Sequence, residues 1–593
     1  MLKSKDLVEN YTKKKDWRVK ENSNAPYSYG ALGKYINAEV EKDYWLREVY
    51  PKDIVDAYIE GYLHLHDLGG LTAYCCGYSL RAIIGMGVMG IPNIPRSKPA
   101  KHFSAILNQL SNLTTVFQNE IMGAVAFSSV DTLLAPYIKE DHLSYEEVKQ
   151  NVQNFIFSIN SNSRGGAEPA FSNCTLDLTP PDDLVDTFAV IGGNMLSYTY
   201  KNCQTEMDMF NKAFFEVMLE GDADGVPFAY PIPTYNIHKR FDWDNPNNDL
   251  LWEMAGKYGT PYFANFGPNS DMDPSDARSM CCRLRLDKRE LLRRNGGLFG
   301  SGESTGSIGV VTLNLPRFAY MANHDTENFL SILSYYMDIA KDSLEIKRKY
   351  IQTDVLEAGL IPAFNTYIGT LNNHFSTIGY IGMNEVGMNL FGKDITDPMV
   401  KAFCIKTLKF MREKLQEYQE ETDNLYNLEA TPAESTCYRL AKLDKETYPD
   451  IFTQGTDKTP YYTNSCHIPV NMVKDIISTT EHQDELQALH TGGTVIHYYL
   501  DGPISGAKVK HIVKTIVTNY KAPFFSISPL NCICPEHGLL SANYDNCPIC
   551  GKEVDKYQRI TGYRRNVKFF NPGKAAEFTD REQMKLGEGN DCL

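Results

Sequence analysis

The sequence predicts an α/β fold with a small C-terminal appendage, on three observations. Amphipathic helical stretches alternate with short β-rich runs, no internal repeat or long low-complexity linker divides the chain, and four closely spaced cysteines sit near its end. The clearest helix is "NFLSILSYYMDIAKDSLEIKRKY", where Leu330, Leu333, Met337, Ala340 and Leu344 recur on one face. Val400 to Glu421 reads the same way. The strands expected between helices are Gly309 to Leu315, Gly493 to Leu500 and Phe524 to Pro529. One large domain, residues 1–529, is followed by a knob at 530–552 and a tail at 553–593.

Composition narrows the function classes. The 593 residues are 42% hydrophobic and 22% charged, ordinary for a globular protein with a large core. A formal charge of −15 repels phosphate backbones and disfavours general nucleic-acid binding. "MLKSKDLVENYTKKKDW" has no apolar signal region, and the longest apolar run, Ala82 to Ile94, is broken by glycine and proline. A cytoplasmic protein without membrane spans is expected. Fourteen cysteines in such a chain point away from a disulfide framework. Cys174, Cys203, Cys404, Cys437 and Cys466 read as small core residues, and Cys592 as a tail thiol.

"CICPEHGLLSANYDNCPIC" carries the strongest local chemistry. Zinc takes four tetrahedral ligands from thiolate and imidazole, and a two-residue gap lets one tight turn present two of them. Cys534 with His537 and Cys547 with Cys550 form such pairs, with Gly538 and Gly551 as the following turn residues. Cys532 competes with His537 for the fourth place. No open coordination position is expected, so the ion is structural.

Other motifs are weaker alone. "LHLHDLGGLTAYCCGYSL" offers His64, His66, Asp67 and Cys75, either as a metal site or as hydrogen-bonded packing residues. In "RSMCCRLRLD", Cys281 and Cys282 point opposite ways if extended, and Arg283 and Arg285 would lower a neighbouring thiol's pKa. "GGLFGSGESTGSIGVV" lacks the ending of a phosphate loop and reads as a loop entering a strand. "NSRGGAEPAFSN" contains Gly165 and Gly166, read as glycines of close backbone approach.

An ordered series of segments resembles the catalytic subunit of the anaerobic (class III) ribonucleoside-triphosphate reductases, a glycyl radical enzyme family. It runs from "KENSNAPYSYG" through "HLHDLGGLTAYCCGYSL", "RSMCCRLRLD", "TGSIGVVTLNLPR" and "NLEATPAESTCYRLAKLD" to "RITGYRRNVKFFNPGK", nearly the whole chain. The resemblance implies a ten-stranded α/β barrel with a central active site, a zinc-binding module and a glycyl radical loop. It implies anaerobic reduction of ribonucleoside triphosphates to 2′-deoxyribonucleoside triphosphates. Gly562 would hold a backbone radical, suited by its lack of a side chain, and a β-carbon there is expected to crowd the loop. Cys75 would become the thiyl that abstracts the ribose 3′ hydrogen, and Cys282 would supply reducing equivalents. Asn314 and Met280 would position substrate and reductant, and Glu434 is a further active-site candidate.

The resemblance also implies partners. A radical activase carrying S-adenosylmethionine and an iron–sulfur cluster would generate the radical. Formate is the preferred reductant over a thioredoxin- or glutaredoxin-like protein. A homodimer with deoxynucleotide effectors is expected. "KENSNAPYSYG" begins at Lys20, leaving no room for the family's N-terminal ATP cone, and Glu168 and Ala170 depart from the family pattern. The knob resembles the family's four-cysteine site with His537 replacing one cysteine, which favours Cys534, His537, Cys547 and Cys550 over a set using Cys532. The rival readings are a glycyl radical acyltransferase or lyase of the pyruvate formate-lyase type, which uses two adjacent cysteines, and a non-enzymatic zinc-ribbon interaction protein.

Overall fold

The computed structural model describes residues 3–16, 18–21, 26–272, 304–560 and 562–584. Ten strands alternate with helices along the chain: β1 (Cys75–Gly77), β2 (Val125–Phe127), β3 (Ser172–Leu176), β4 (Ile232–His238), β5 (Tyr262–Phe266), β6 (Gly306–Asn314), β7 (His374–Ile381), β8 (Tyr426–Glu429), β9 (Ile496–Leu500) and β10 (Phe524–Pro529). The three runs expected as strands are β6, β9 and β10. The two expected helices are Thr326–Tyr350 and Pro398–Thr422. Asp325 and Asp397 cap these helices by accepting first-turn amide hydrogens, which satisfies donors that would otherwise lack partners.

The strands follow one path, β8-β7-β6-β1-β2-β3-β4-β5-β10-β9, with the short strand Leu63–Leu65 added on β6. Strands β1 to β5 are mutually parallel. So are β6 to β8, and β9 with β10. The two groups meet antiparallel at β1/β6 and β5/β10. A parallel bridge from Glu429 to Gly492, with Ala430 N–H donating to the Gly492 carbonyl at 3.0 Å, joins the free end of β8 to the segment leading into β9. The sheet therefore closes into a ten-stranded barrel of two five-stranded halves.

Strand alternation divides this barrel sharply. Cys76, Cys174, Leu176, Tyr235, Phe263, Tyr498 and Ile527 point outward into one apolar layer under the helices. Val311, Leu313, Ile378, Tyr380 and Leu428 do so into a second. Each such side chain contributes about 1.5–3 kcal/mol by leaving water. The opposite, inner positions include an apolar group on β4, β5 and β10 (Ile232, Tyr262, Ala264, Phe266 and Phe524) and many polar side chains. The polar ones pair with one another: Ser307 with Thr377 at 2.9 Å, Thr377 with Asn427 at 2.7 Å, Asn173 with Thr234 at 3.3 Å, and His497 with Ser526 at 2.8 Å. A lumen with both polar groups and an apolar wall, inside an apolar jacket, has the makings of a reaction chamber.

A second sheet of four strands, β11 (Asn531–Cys534), β12 (Gly538–Leu539), β13 (Asp555–Arg559) and β14 (Arg564–Asn566), follows β10 directly. It spans both the knob and the tail, two segments the sequence reading treats as separate units. Gly165 and Gly166 stand at a close backbone approach, as expected: a Cβ on Gly30 would lie 2.5 Å from the Gly166 carbonyl oxygen and 3.3 Å from that of Gly165, and φ values of +57° and +68° suit this turn to glycine. Glu168 ion-pairs with Lys34 and with Arg164, tying the N-terminal helix Tyr29–Tyr44 to the barrel.

Candidate active site

Cys75 and Cys76 are both buried and outside any disulfide, but they face opposite ways. Cys76 belongs to the outer apolar layer. Cys75 registers with Ser307, whose hydroxyl joins the inner polar ladder, so the Cys75 side chain lies on the lumen face. The backbone beside it is tightly packed. A Cβ on Gly123 would stand 2.9 Å from the Tyr74 carbonyl and 3.4 Å from the Cys75 Cβ. Neither Ser307 nor Gly123 is singled out by sequence motifs, because their proximity to Cys75 comes from strand pairing.

Gly562 lies at the tip of the β13–β14 hairpin. Arg559 registers with Arg564, and Ile560 N–H donates to the Tyr563 carbonyl at 3.0 Å across the turn. The tip is held by groups from distant parts of the chain. The Tyr262 hydroxyl, at the start of β5, donates to the Gly562 carbonyl. Arg559 Nη1 donates to the same carbonyl at 3.1 Å, with its guanidinium 4.2 Å from the Tyr262 ring centroid. The Gly562 N–H donates to Glu434 Oε1 at 3.4 Å, from the first turn of helix Glu434–Thr447. The Tyr563 ring meets Phe171 edge-on at 6.0 Å, just before β3. The hairpin tip thus touches elements of both barrel halves.

Behind the tip, Arg581 is fully buried. It donates to the Arg559 carbonyl at 3.1 Å, to the Ile560 carbonyl at 3.2 Å and to Gln558 Oε1 at 2.9 Å. Its guanidinium pairs with Glu577 at 2.8 Å and lies 4.0 Å from the Tyr499 ring centroid. Glu577 also pairs with buried Lys574, and these two cations hold its carboxyl below the usual range against the opposing effect of burial, the largest influence. Arg559 opens the segment "RITGYRRNVKFFNPGK", but no sequence motif gives it, Tyr262 or Arg581 a role at Gly562. The hairpin's basic residues read only as a charged stretch until their carbonyl partners are known.

A Cβ built on Gly562 meets no atom of the described residues within 4 Å. The crowding expected there is absent. Packing among the described residues therefore supplies no reason for glycine at this tip.

The Asn314 side chain is fully engaged in hydrogen bonds. Its amide donates to the Gly61 carbonyl at 2.8 Å and to Asp444 Oδ2 at 2.9 Å, and its oxygen accepts from Arg317 N at 3.4 Å. Arg317 and Asp444 form a buried ion pair beneath it. The side chain is taken up by capping helix Leu315–Met321 and bracing this pair, which makes it a positioning residue. His64 and His66 are hydrogen-bonded packing groups: His66 contacts Thr312 Oγ1 at 2.8 Å and His64 contacts Arg439 at 3.2 Å. Burial, chiefly, pushes His66 down to about 3 and His64 well below its usual value, so both rings are neutral near pH 7. Met280 and Cys282 lie outside the described residues.

In the knob, the ligand atoms of Cys534, His537, Cys547 and Cys550 all lie within 4.8 Å of one another. Cys534 Sγ is 3.6 Å from Cys550 Sγ and from His537 Nδ1, and Cys547 Sγ is 3.6 Å from the same nitrogen. A tetrahedral zinc site has ligand–ligand edges of roughly 3.6–3.8 Å, so the donor set and its spacing fit. Cys532 is excluded, since its sulfur accepts from Tyr544 N at 3.5 Å, outside the cluster. Gly538 and Gly551, with φ of +68° and +74°, make the tight turns.

Comparison with known proteins finds a matching family and matching folds. The NRDD family, described as anaerobic ribonucleoside-triphosphate reductase, matches residues 21–584. The anaerobic ribonucleoside-triphosphate reductase of Enterobacteria phage T4 is 24% identical over 95% of this chain and 96% of its own. That of Salmonella typhimurium is 23% identical over 93% of this chain and 81% of its own. Among solved structures, the anaerobic ribonucleotide reductase from Thermotoga maritima in complex with dATP and CTP superposes with a TM-score of 0.74, covering 96% of this chain and 94% of that one at 23% identity. Another anaerobic ribonucleotide reductase gives 0.77 at 21% identity, covering 98% and 94%.

Proposed function

The chain belongs to the anaerobic ribonucleoside-triphosphate reductase family, and from that premise we propose how its residues divide the work. The enzyme is an oxidoreductase that converts ribonucleoside triphosphates to their 2′-deoxy forms. A radical activase, using S-adenosylmethionine and its own iron–sulfur cluster, removes one α-hydrogen from Gly562. The remaining electron delocalises over the flanking amide and carbonyl. These are the groups that Glu434, Tyr262 and Arg559 hold, and this arrangement is the observation that carries the reading.

The Gly562 radical then takes hydrogen from the Cys75 thiol, and the resulting thiyl takes the 3′ hydrogen of the ribose. The 2′ hydroxyl leaves as water once protonated. Two electrons and a proton come from formate, released as carbon dioxide, with Cys282 and Met280 at the transfer point. The balance is ribonucleotide plus formate plus a proton giving deoxyribonucleotide, carbon dioxide and water. Cys75 returns its hydrogen to the 3′ carbon at the end. A dithiol protein is the alternative reductant.

The pyruvate formate-lyase reading needs two adjacent cysteines in one chamber. Cys76 points into the apolar jacket instead, which counts against it. One solved relative has dATP in its specificity site, and deoxynucleotide control of substrate choice in a homodimer is part of the proposal. Among the described residues, no helix is long and apolar enough to cross a membrane.

The test is anaerobic incubation with activase, S-adenosylmethionine and CTP, comparing formate with a thioredoxin system. Appearance of dCTP with matching carbon dioxide, alongside a glycyl radical signal in electron paramagnetic resonance, is expected. A silent spectrum with no dCTP in either arm would sink the reading.

Cys534, His537, Cys547 and Cys550 would hold zinc, which supplies rigidity and no redox chemistry. β11, within the knob, pairs directly with β13 of the radical hairpin. Stripping the metal is therefore expected to lower the radical yield on Gly562 at least about tenfold, since an ångström of misplacement is costly to hydrogen transfer. Metal content and spin quantitation check this, and zinc re-addition restores the yield. Full radical yield in the metal-free chain would refute the coupling.

A further inference from the structure

We propose that the cleft between the radical hairpin and residues 226–232 binds a small oxyanion, a carboxylate or a phosphate, with Arg564 as its principal ligand. Arg564 opens β14 directly across from Arg559. Like charges directly opposed across a strand pair are destabilising. Arg559 offsets this with three carbonyl partners: Gly259 at 2.6 Å, Thr260 at 3.0 Å and Gly562 at 3.1 Å.

Arg564 has no such partners. Its guanidinium sits by the rings of Tyr557 and Tyr258, with centroids at 4.9 and 5.5 Å, and Nε and Nη2 are buried without a hydrogen bond. Ring contact engages the face of a guanidinium, but its N–H donors lie in the plane, and those on Nε and Nη2 stay unmatched. Burial, aided by the Arg559 charge, lowers its pKa to about 10, so it remains charged at neutral pH. A charged group in this position calls for a counter-charge with two acceptor oxygens, the geometry of a carboxylate or phosphate edge.

The cleft supplies none of its own. Among the described residues its walls include Arg559, Arg564 and Arg565 and no carboxylate. Thr260, Asn566 and Tyr563 add polar rim groups. Its volume of about 280 Å³ suits a small anion with hydration water and falls below the range typical of drug-sized ligands. An anion here would neutralise the Arg559–Arg564 repulsion and pin the hairpin in the barrel, two residues from Gly562. The inference rests on the hairpin's geometry and not on the radical chemistry, so its test uses the unactivated protein.

The full zinc-loaded chain is titrated with potassium phosphate or sodium formate against chloride at constant ionic strength, while hydrogen exchange of the peptide covering 557–566 is followed. Exchange is expected to slow about tenfold when the anion reaches ten times its Kd. Arg564→Gln should remove that protection. Arg564→Lys, which keeps charge without the planar fork, should shift the midpoint to higher anion concentration and serves if the glutamine variant does not fold. Protection by phosphate alone assigns a phosphate site, and by formate alone a carboxylate site. No anion-dependent protection in the unmodified chain, or an unchanged midpoint in the Arg564 variants, would overturn the proposal.

Discussion

Gly562→Ala is expected to abolish deoxyribonucleotide formation, by at least ~10⁴-fold or about 5.4 kcal/mol in barrier height, while leaving the fold in place. The two halves of this expectation have separate causes. Open space surrounds the Cβ position among the described residues, so stability should change by less than about 1 kcal/mol. The chemistry is less forgiving. A planar α-carbon radical needs its two flanking peptide groups coplanar with it, and a methyl in that plane collides with a neighbouring carbonyl oxygen or amide hydrogen. Tyr262, Arg559 and Glu434 hold both peptide groups, which leaves them little room to rotate away. Calorimetry and spin quantitation on one preparation decide the matter. A variant that melts like the parent and still shows a radical with turnover would remove Gly562 from the mechanism.

The adjacent cysteines should separate just as widely. Cys75→Ser is expected to keep the glycyl radical signal yet form no product, because an O–H bond is too strong for that radical to break. Cys282→Ser, outside the described residues, should behave alike. Cys76→Ser should retain turnover in the folded enzyme and lose about 1–3 kcal/mol of stability, since its hydroxyl enters the apolar jacket. The readouts are dCTP formation, radical content and the unfolding midpoint. An inactive, stable Cys76→Ser beside an active Cys75→Ser would reverse the assignment of lumen and jacket.

Much of the site is local in origin and so legible in the chain. Two-residue gaps present Cys534, His537, Cys547 and Cys550 from two tight turns, and the structure gathers those four atoms without Cys532. Strand alternation requires adjacent cysteines to part. The apolar faces of Thr326–Tyr350 and Pro398–Thr422 follow from helical spacing. Asn314 shows the limit of such reasoning. Its cap bond from Arg317 N is local, but nothing within a few positions reveals that Gly61 and Asp444 also converge on it.

The amino-acid order alone determined the α/β class, three of the candidate metal ligands with His537 and Cys532 competing for the fourth place, and the ordered motifs that point to Gly562 and Cys75. Tertiary structure decided which groups hold Gly562: Tyr262, 300 residues away, Glu434, 128 residues away, and Arg581, whose carbonyl partners lie on the hairpin behind the tip. The reason is one of range. Helix and strand periodicities and turn preferences act over a few residues, whereas closing a ten-stranded barrel brings distant segments together through strand register. That register is a property of the whole sheet, written in no single segment.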